Sequence, residues 1–214
     1  MGKINKSSMI TQEQINELNS LFKEAKPSEI IKKAFEISNQ AVVTTNFRPY
    51  EAAILFAVNS VETKIPVIWC DTGYNTPQTY KHAEKVIKDL NLNIFLYVPK
   101  QTAAHRDVVM GIPSVDAPEH VLFTEQVKLE PFRRAMEEHK PNVWFTNLRQ
   151  GQTAFRDSIG IFSISKDGVL KVSPFYYWSD VDLDTYLEEN KLPNEFKYFD
   201  PTKALENREC GLHA

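Results

Sequence analysis

Residues 65–90 read IPVIWCDTGYNTPQTYKHAEKVIKDL, and this stretch decides the fold. Ile65 to Cys70 is an apolar run with no polar alternation, the pattern of a strand buried on both faces. The turn Asp71-Thr72-Gly73-Tyr74 follows. Thr76 and Pro77 then stand as N-cap and first residue of a helix predicted to run to about Leu90. Upstream, Ala41-Val42-Val43 reads as a short buried strand, Thr44 to Pro49 as a loop, and Glu51 to Asn59 as an almost wholly apolar helix that must be covered on most sides. Downstream, Ile94 to Val98 is a third strand, Pro131 to His139 a helix and Val143 to Thr146 a fourth strand.

Strands alternating with helices over residues 41–146 predict an α/β fold: an open, mainly parallel twisted sheet with helices on both faces. Ahead of it, Thr11 and Gln14 form a capping-box pattern before Ile15, Leu18, Leu21 and Phe22, and Pro27-Ser28 opens a second helix, so residues 1–38 are read as N-terminal helices. Beyond it, residues 161–165 and 169–172 flank Lys166-Asp167-Gly168 as a β-hairpin, and Ser179 with Asp182 caps a last helix ending near Asn190. Residues 99–124 show little pattern and are expected to form an exposed excursion. Residues 191–214 are expected to be a tail laid over the domain, or mobile. With no internal repeat or linker, residues 1–214 are read as one domain.

Composition narrows the function. Of 214 residues, 25 are basic and 28 acidic, a formal charge of −3, which removes any general electrostatic drive towards nucleic acid or an anionic membrane. No apolar run approaches the roughly 18 residues that span a bilayer, and the N-terminus lacks the apolar stretch of a secretory signal. Cys70 and Cys210 are the two cysteines, too few for a disulfide framework or, by themselves, a metal site, and a cytoplasmic location is expected.

Open parallel sheets bind ligands beyond the carboxyl ends of their strands, where three loops fall. Thr44-Thr45-Asn46-Phe47-Arg48 runs into a helix N-terminus, offering hydroxyls and a guanidinium to an anion, or simply an ordinary capped helix start. Asp71-Thr72-Gly73-Tyr74 offers hydrogen-bonding groups and a ring for a nucleoside, though a tight turn uses the same residues for geometry alone. Arg149, Gln152 and Arg156 lie in one segment directly after a strand and suit a polyanion, since arginine binds phosphate and sulfate bidentately, or form a solvated loop with surface ion pairs. At the far end, Arg208-Glu209-Cys210-Gly211-Leu212-His213 places a thiol near two basic side chains, which favour the thiolate, or carries an incidental surface thiol. Cys70, inside an apolar run, reads as a small core residue.

The RECGLH ending, DTGY after the second strand, the spacing LRxxQxxxR after the fourth and KVSPFYYW before the last helix together resemble the phosphoadenosine phosphosulfate (PAPS) reductase family. The likeness runs in order from about residue 40 to 213. It implies the adenine-nucleotide α-hydrolase-like fold and a reaction in two steps. Cys210 attacks the sulfonyl sulfur of PAPS to give an S-sulfonate and adenosine 3′,5′-bisphosphate. Thioredoxin or glutaredoxin, as electron donor, then releases sulfite. Carried over, Arg208 and His213 support Cys210, while residues 44–48, 71–74, Arg149, Gln152, Arg156 and Lys171 bind substrate. Related enzymes that reduce adenosine 5′-phosphosulfate hold a four-iron cluster on paired cysteines; two cysteines cannot supply four ligands, so no bound cofactor, iron–sulfur cluster or metal is expected. The resemblance also implies a homodimer. The alternative is a diverged nucleotide-binding or adenylyl-transfer relative of the same fold without reductase activity.

Overall fold

The central strands are buried at nearly every position, and successive side chains point to opposite faces, which sorts the core into two layers. The computed structural model describes residues 10–203. Its six strands are β1 (Ala41–Thr45), β2 (Val67–Cys70), β3 (Ile94–Tyr97), β4 (Val143–Phe145), β5 (Phe162–Ile164) and β6 (Leu170–Val172), in the order β3-β2-β1-β4-β6-β5. All pairs are parallel except the edge hairpin β5–β6, so the predicted sheet and hairpin are both present. Val43, Val67, Trp69, Val143 and Phe145 point into the larger apolar cluster, while Val42, Ile68 and Trp144 join Tyr97 in a smaller one on the opposite face.

The larger layer is built by α1 (Gln12–Leu21), α2 (Pro27–Ile37), α3 (Glu51–Asn59), α4 (Pro77–Leu90) and α8 (Asp180–Glu189). Thr11 and Ser179 head α1 and α8 through complete capping boxes, as their spacing predicts. In α3, Ala52 to Leu55 are all essentially buried, so cutting Leu55 to alanine costs about 2–5 kcal/mol. On the other face α7 (Glu130–His139) lays Phe132, Ala135 and Met136 against the smaller cluster.

Two expectations need correction, and one helix start has a continuation that the sequence did not predict. Residues 99–124 are not a patternless excursion: they hold α5 (Ala103–Val109) and α6 (Glu119–Thr124). Polar groups hold α5, whereas α6 is anchored by its buried Phe123, whose ring lies 5.6 Å from that of Tyr74. Thr102 caps α5, and fully buried Arg106 donates to Gln126 Oε1 and Gln101 O, while Val108, Val109 and Val121 stay exposed. Next, α6 continues through a π-helical turn (Glu125–Leu129) into α7. Pro131 explains that turn. In a regular helix its ring meets the carbonyl four residues back; here the Glu130 N–H bonds to Glu125 O, five residues back, just before the proline. Finally, Thr44 and Thr45 belong to β1 rather than to a loop, paired with Ile68 and Trp69, because β-branched threonines suit the sheet.

Residues 191–203 form a strap without regular structure across the carboxyl ends of the strands. Asn194 Oδ1 accepts the Tyr50 N–H at 2.9 Å, the Tyr198 hydroxyl accepts from Asn46 at 2.8 Å, and Lys197 O accepts from the Thr76 hydroxyl at 2.6 Å. No helix among the described residues is long and apolar enough to cross a membrane.

Candidate active site

The chain moves outward from β1 to β2 to β3, then returns to place β4 on the other side of β1. At that reversal the loops leaving β1 and β4 diverge, which is where open α/β sheets bind ligands. A cleft open to solvent lies there. Ile68, Phe132 and Trp144 give it an apolar wall; Thr44, Thr45 and Asn46 give it hydroxyls and an amide. Arg48, Lys128, Arg156 and Lys203 give it positive charge.

The β1 side is preorganised by its own side chains. Thr45 Oγ1 accepts the Phe47 N–H at 3.0 Å, and Asn46 Oδ1 accepts the Arg48 N–H at 3.3 Å. With the Tyr50 N–H held by Asn194, these backbone donors are already spent, so anion binding at the head of α3 falls to side chains. Phe47 and Tyr50 both take left-handed backbone, φ 52° and 69°. Phe47 tolerates this because its ring is buried edge-on to Trp69 with centroids 4.9 Å apart; it packs the core beneath the loop rather than lining the cleft. Arg48 Nε bonds Glu51 Oε1 at 2.9 Å and its Nη2 bonds Asn147 O at 3.0 Å.

Glu51 was not singled out from the sequence. It is a buried carboxylate on the cleft wall at the first position of α3. Burial pushes its pKa up, against the opposing pull of Arg48 and of hydrogen bonds from Thr45 and Asn147. Lys128 was missed too. It sits on the π-helical turn, buried, with Nζ 2.5 Å from Asp200 Oδ2 and 3.2 Å from Thr202 Oγ1. The Asp200 carboxyl lies below its usual range: burial raises it, but the Lys128 charge and hydrogen bonds from Lys128 and Thr202 outweigh that. The only sequence signals for these groups are an acid heading an apolar helix and a lysine between Val127 and Leu129.

On the β4 side, Arg156 is the predicted anion group that reaches the cleft. It is buried, its guanidinium donates to Gln152 Oε1, and its carbonyl accepts the Tyr176 hydroxyl at 2.5 Å. Gln152 therefore orients Arg156, and its Oε1 also takes the Arg149 N–H. Arg149 turns away: it pairs with Asp180 at 2.6 Å, donates to Trp178 O and lies 5.3 Å over the Tyr50 ring. Lys171, buried on β6, lies 5.9 Å from the centre of the Phe155 ring, next to Arg156.

The 71–74 turn borders the cleft without lining it. Asp71 accepts from the Gly73 N–H, Asn75 and Tyr80; Gly73 has φ 82°; and the Tyr74 hydroxyl donates to Asp107 at 2.8 Å. Cys70 packs on the smaller cluster as expected but also faces the cleft, where burial pushes its thiol up to about 12. Cys210, Arg208 and His213 lie outside the described residues. Among the described residues no group of three or more His, Cys, Asp or Glu is placed to hold a metal ion.

A mainly parallel open sheet with a cationic cleft at its switch point defines a nucleotide-binding α/β protein, and comparison with known proteins narrows the class. The family model for the phosphoadenosine phosphosulfate reductase domain matches residues 40–199. The phosphoadenosine 5′-phosphosulfate reductase of Photobacterium profundum is 28% identical, covering 94% of this chain and 88% of that protein. That of Vibrio vulnificus is 34% identical over 80% of this chain and 75% of its own. The crystal structure of Candida auris PAPS reductase, a phosphate complex, superposes with TM-score 0.76 and 25% identity, covering 88% and 91% of the two chains. Candida glabrata FMN adenylyltransferase, at TM-score 0.53 and 12% identity, shares the fold alone. The chain belongs to the PAPS reductase family, with the adenine-nucleotide α-hydrolase-like fold.

Proposed function

We propose that this chain reduces 3′-phosphoadenylyl sulfate to sulfite and adenosine 3′,5′-bisphosphate, as an oxidoreductase of sulfate assimilation. The family match supports the activity. The observation that carries the site is the cleft at the β1–β4 reversal, where an apolar wall adjoins Arg48, Lys128, Arg156 and Lys203. Ile68, Phe132 and Trp144 suit a planar base, and the cations suit phosphate and sulfate.

In this reading the Cys210 thiolate attacks the sulfonyl sulfur. The bond from that sulfur to the bridging phosphate oxygen breaks, and the bisphosphate leaves with the electron pair. A thioredoxin or glutaredoxin thiolate then attacks Cys210 Sγ, forming a mixed disulfide and expelling sulfite; the donor's second thiol resolves it, so the donor supplies the two electrons. Arg208 and His213 assist Cys210, Arg156 with Gln152 holds the anionic end, and Asp71 to Tyr74 borders the adenosine. The reading includes no bound metal or iron–sulfur cluster, a homodimeric assembly and a cytoplasmic location. The test is sulfite release from PAPS with thioredoxin and a reductant, alongside intact-mass detection of the sulfonate on Cys210. Wild type should give both and Cys210→Ser neither; wild type at the background of the variant would sink the proposal.

A further inference from the structure

Lys128 and Asp200 are both buried charged side chains, brought together from positions 72 residues apart. Lys128 belongs to the π-helical turn and Asp200 to the strap. Their contact is fully knitted: Asp200 Oδ1 accepts the Thr202 N–H at 3.0 Å and the Thr202 hydroxyl at 2.7 Å, while Oδ2 takes the ammonium, which also meets Thr202. A buried pair of this kind is robust only when complete, because removing one partner strands the other charge out of water. Its position is equally specific. Lys128 lines the cleft, and so does Lys203, the residue just past Thr202. The strap therefore reaches the cleft at this pair. Cys210 follows Lys203 by seven residues, a span of at most about 25 Å.

We infer that Lys128 and Asp200 form a buried latch that seats the strap against the cleft wall, and that Asp200 is a positioning residue for Cys210. The inference rests on the reading of Cys210 as the sulfonate acceptor. Asp200 then has two opposed effects. Its geometry fixes where the tail departs, which serves transfer. Its negative charge offsets Lys128 beside an anion site, which weakens nucleotide binding. Losing the carboxylate charge separates the two effects, whereas general loosening of the fold worsens both.

The experiment compares wild type, Asp200→Asn and Asp200→Glu. The rate of sulfonate appearance on Cys210 is followed by intact mass in a single turnover, and adenosine 3′,5′-bisphosphate affinity by calorimetry. Asp200→Asn should slow sulfonation by about tenfold to a hundredfold while binding the bisphosphate as tightly as wild type or tighter. Asp200→Glu should recover most of the rate. Sulfonation by Asp200→Asn within about twofold of wild type overturns the latch, as does a parallel loss of rate and affinity. Should wild type take up no sulfonate, the reductase reading falls and the latch is judged by amide hydrogen exchange over residues 191–203. Exchange must then rise in Asp200→Asn, and unchanged protection overturns the latch as well.

Discussion

Two thiols and one guanidinium show how much a residue's surroundings decide. Cys70 faces the cleft, yet burial pushes its thiol up to about 12, leaving roughly one part in ten thousand as thiolate at pH 8. Iodoacetamide at pH 8 should therefore leave Cys70 unmodified over the time that alkylates an ordinary surface thiol, with peptide mapping as the check; Cys70→Ala should keep most of the sulfite-forming activity. Arg156 is the contrasting case, buried and aimed by Gln152 into the cleft. Lysine at this position keeps the charge but loses the planar fork. Arg156→Lys is expected to lower kcat/KM for PAPS by about tenfold or more, with the melting temperature little changed. The residue types for anion binding were legible in the sequence, but their partners were not. Arg149 and Arg156 look equivalent along the chain, and only the Asp180 pair and Gln152 separate them.

Elements whose ends carry local chemistry stand where the sequence puts them. The α1, α4 and α8 boundaries follow from Thr11, Thr76 and Ser179, because a cap is a contact within three residues. The burial of Arg106 in α5 and of Lys128 on the π-helical turn depends on distant partners, Gln126 and Asp200, and no short-range pattern reports those. Thr76 serves both kinds of contact: its hydroxyl accepts the Thr79 N–H at 3.0 Å and donates to the strap at Lys197 O. Thr76→Val should cost about 1–2 kcal/mol in urea unfolding. Hydrogen exchange should rise both in the first turn of α4 and around Lys197.

At the scale of the molecule, two buried carboxylates give stability an opposed dependence on pH. The Asp200 pKa is lowered in the fold. Its contribution is complete above the ordinary aspartate value of about 3.9 and is lost as pH falls through the folded value. The Glu51 pKa is raised, chiefly by burial. Its contribution is complete below the ordinary glutamate value of about 4.3 and is lost as pH rises through the folded value. Urea midpoints measured from pH 2.5 to 7 should show Asp200→Asn flattening the loss below about pH 4 and Glu51→Gln flattening the decline above about pH 4.3.

Every strand and helix of the described residues is complete by Glu189, so a chain truncated after Asn190 would still contain the whole sheet and both of its layers. It would nonetheless lose the acceptors now used by the Tyr50 N–H, Asn46, Thr76 and Lys128, the last of them a buried ammonium. Such a fragment is expected to fold yet bind nucleotide poorly, because it loses Lys203 from the cleft and the Asn194 and Tyr198 contacts that fix the loop after β1.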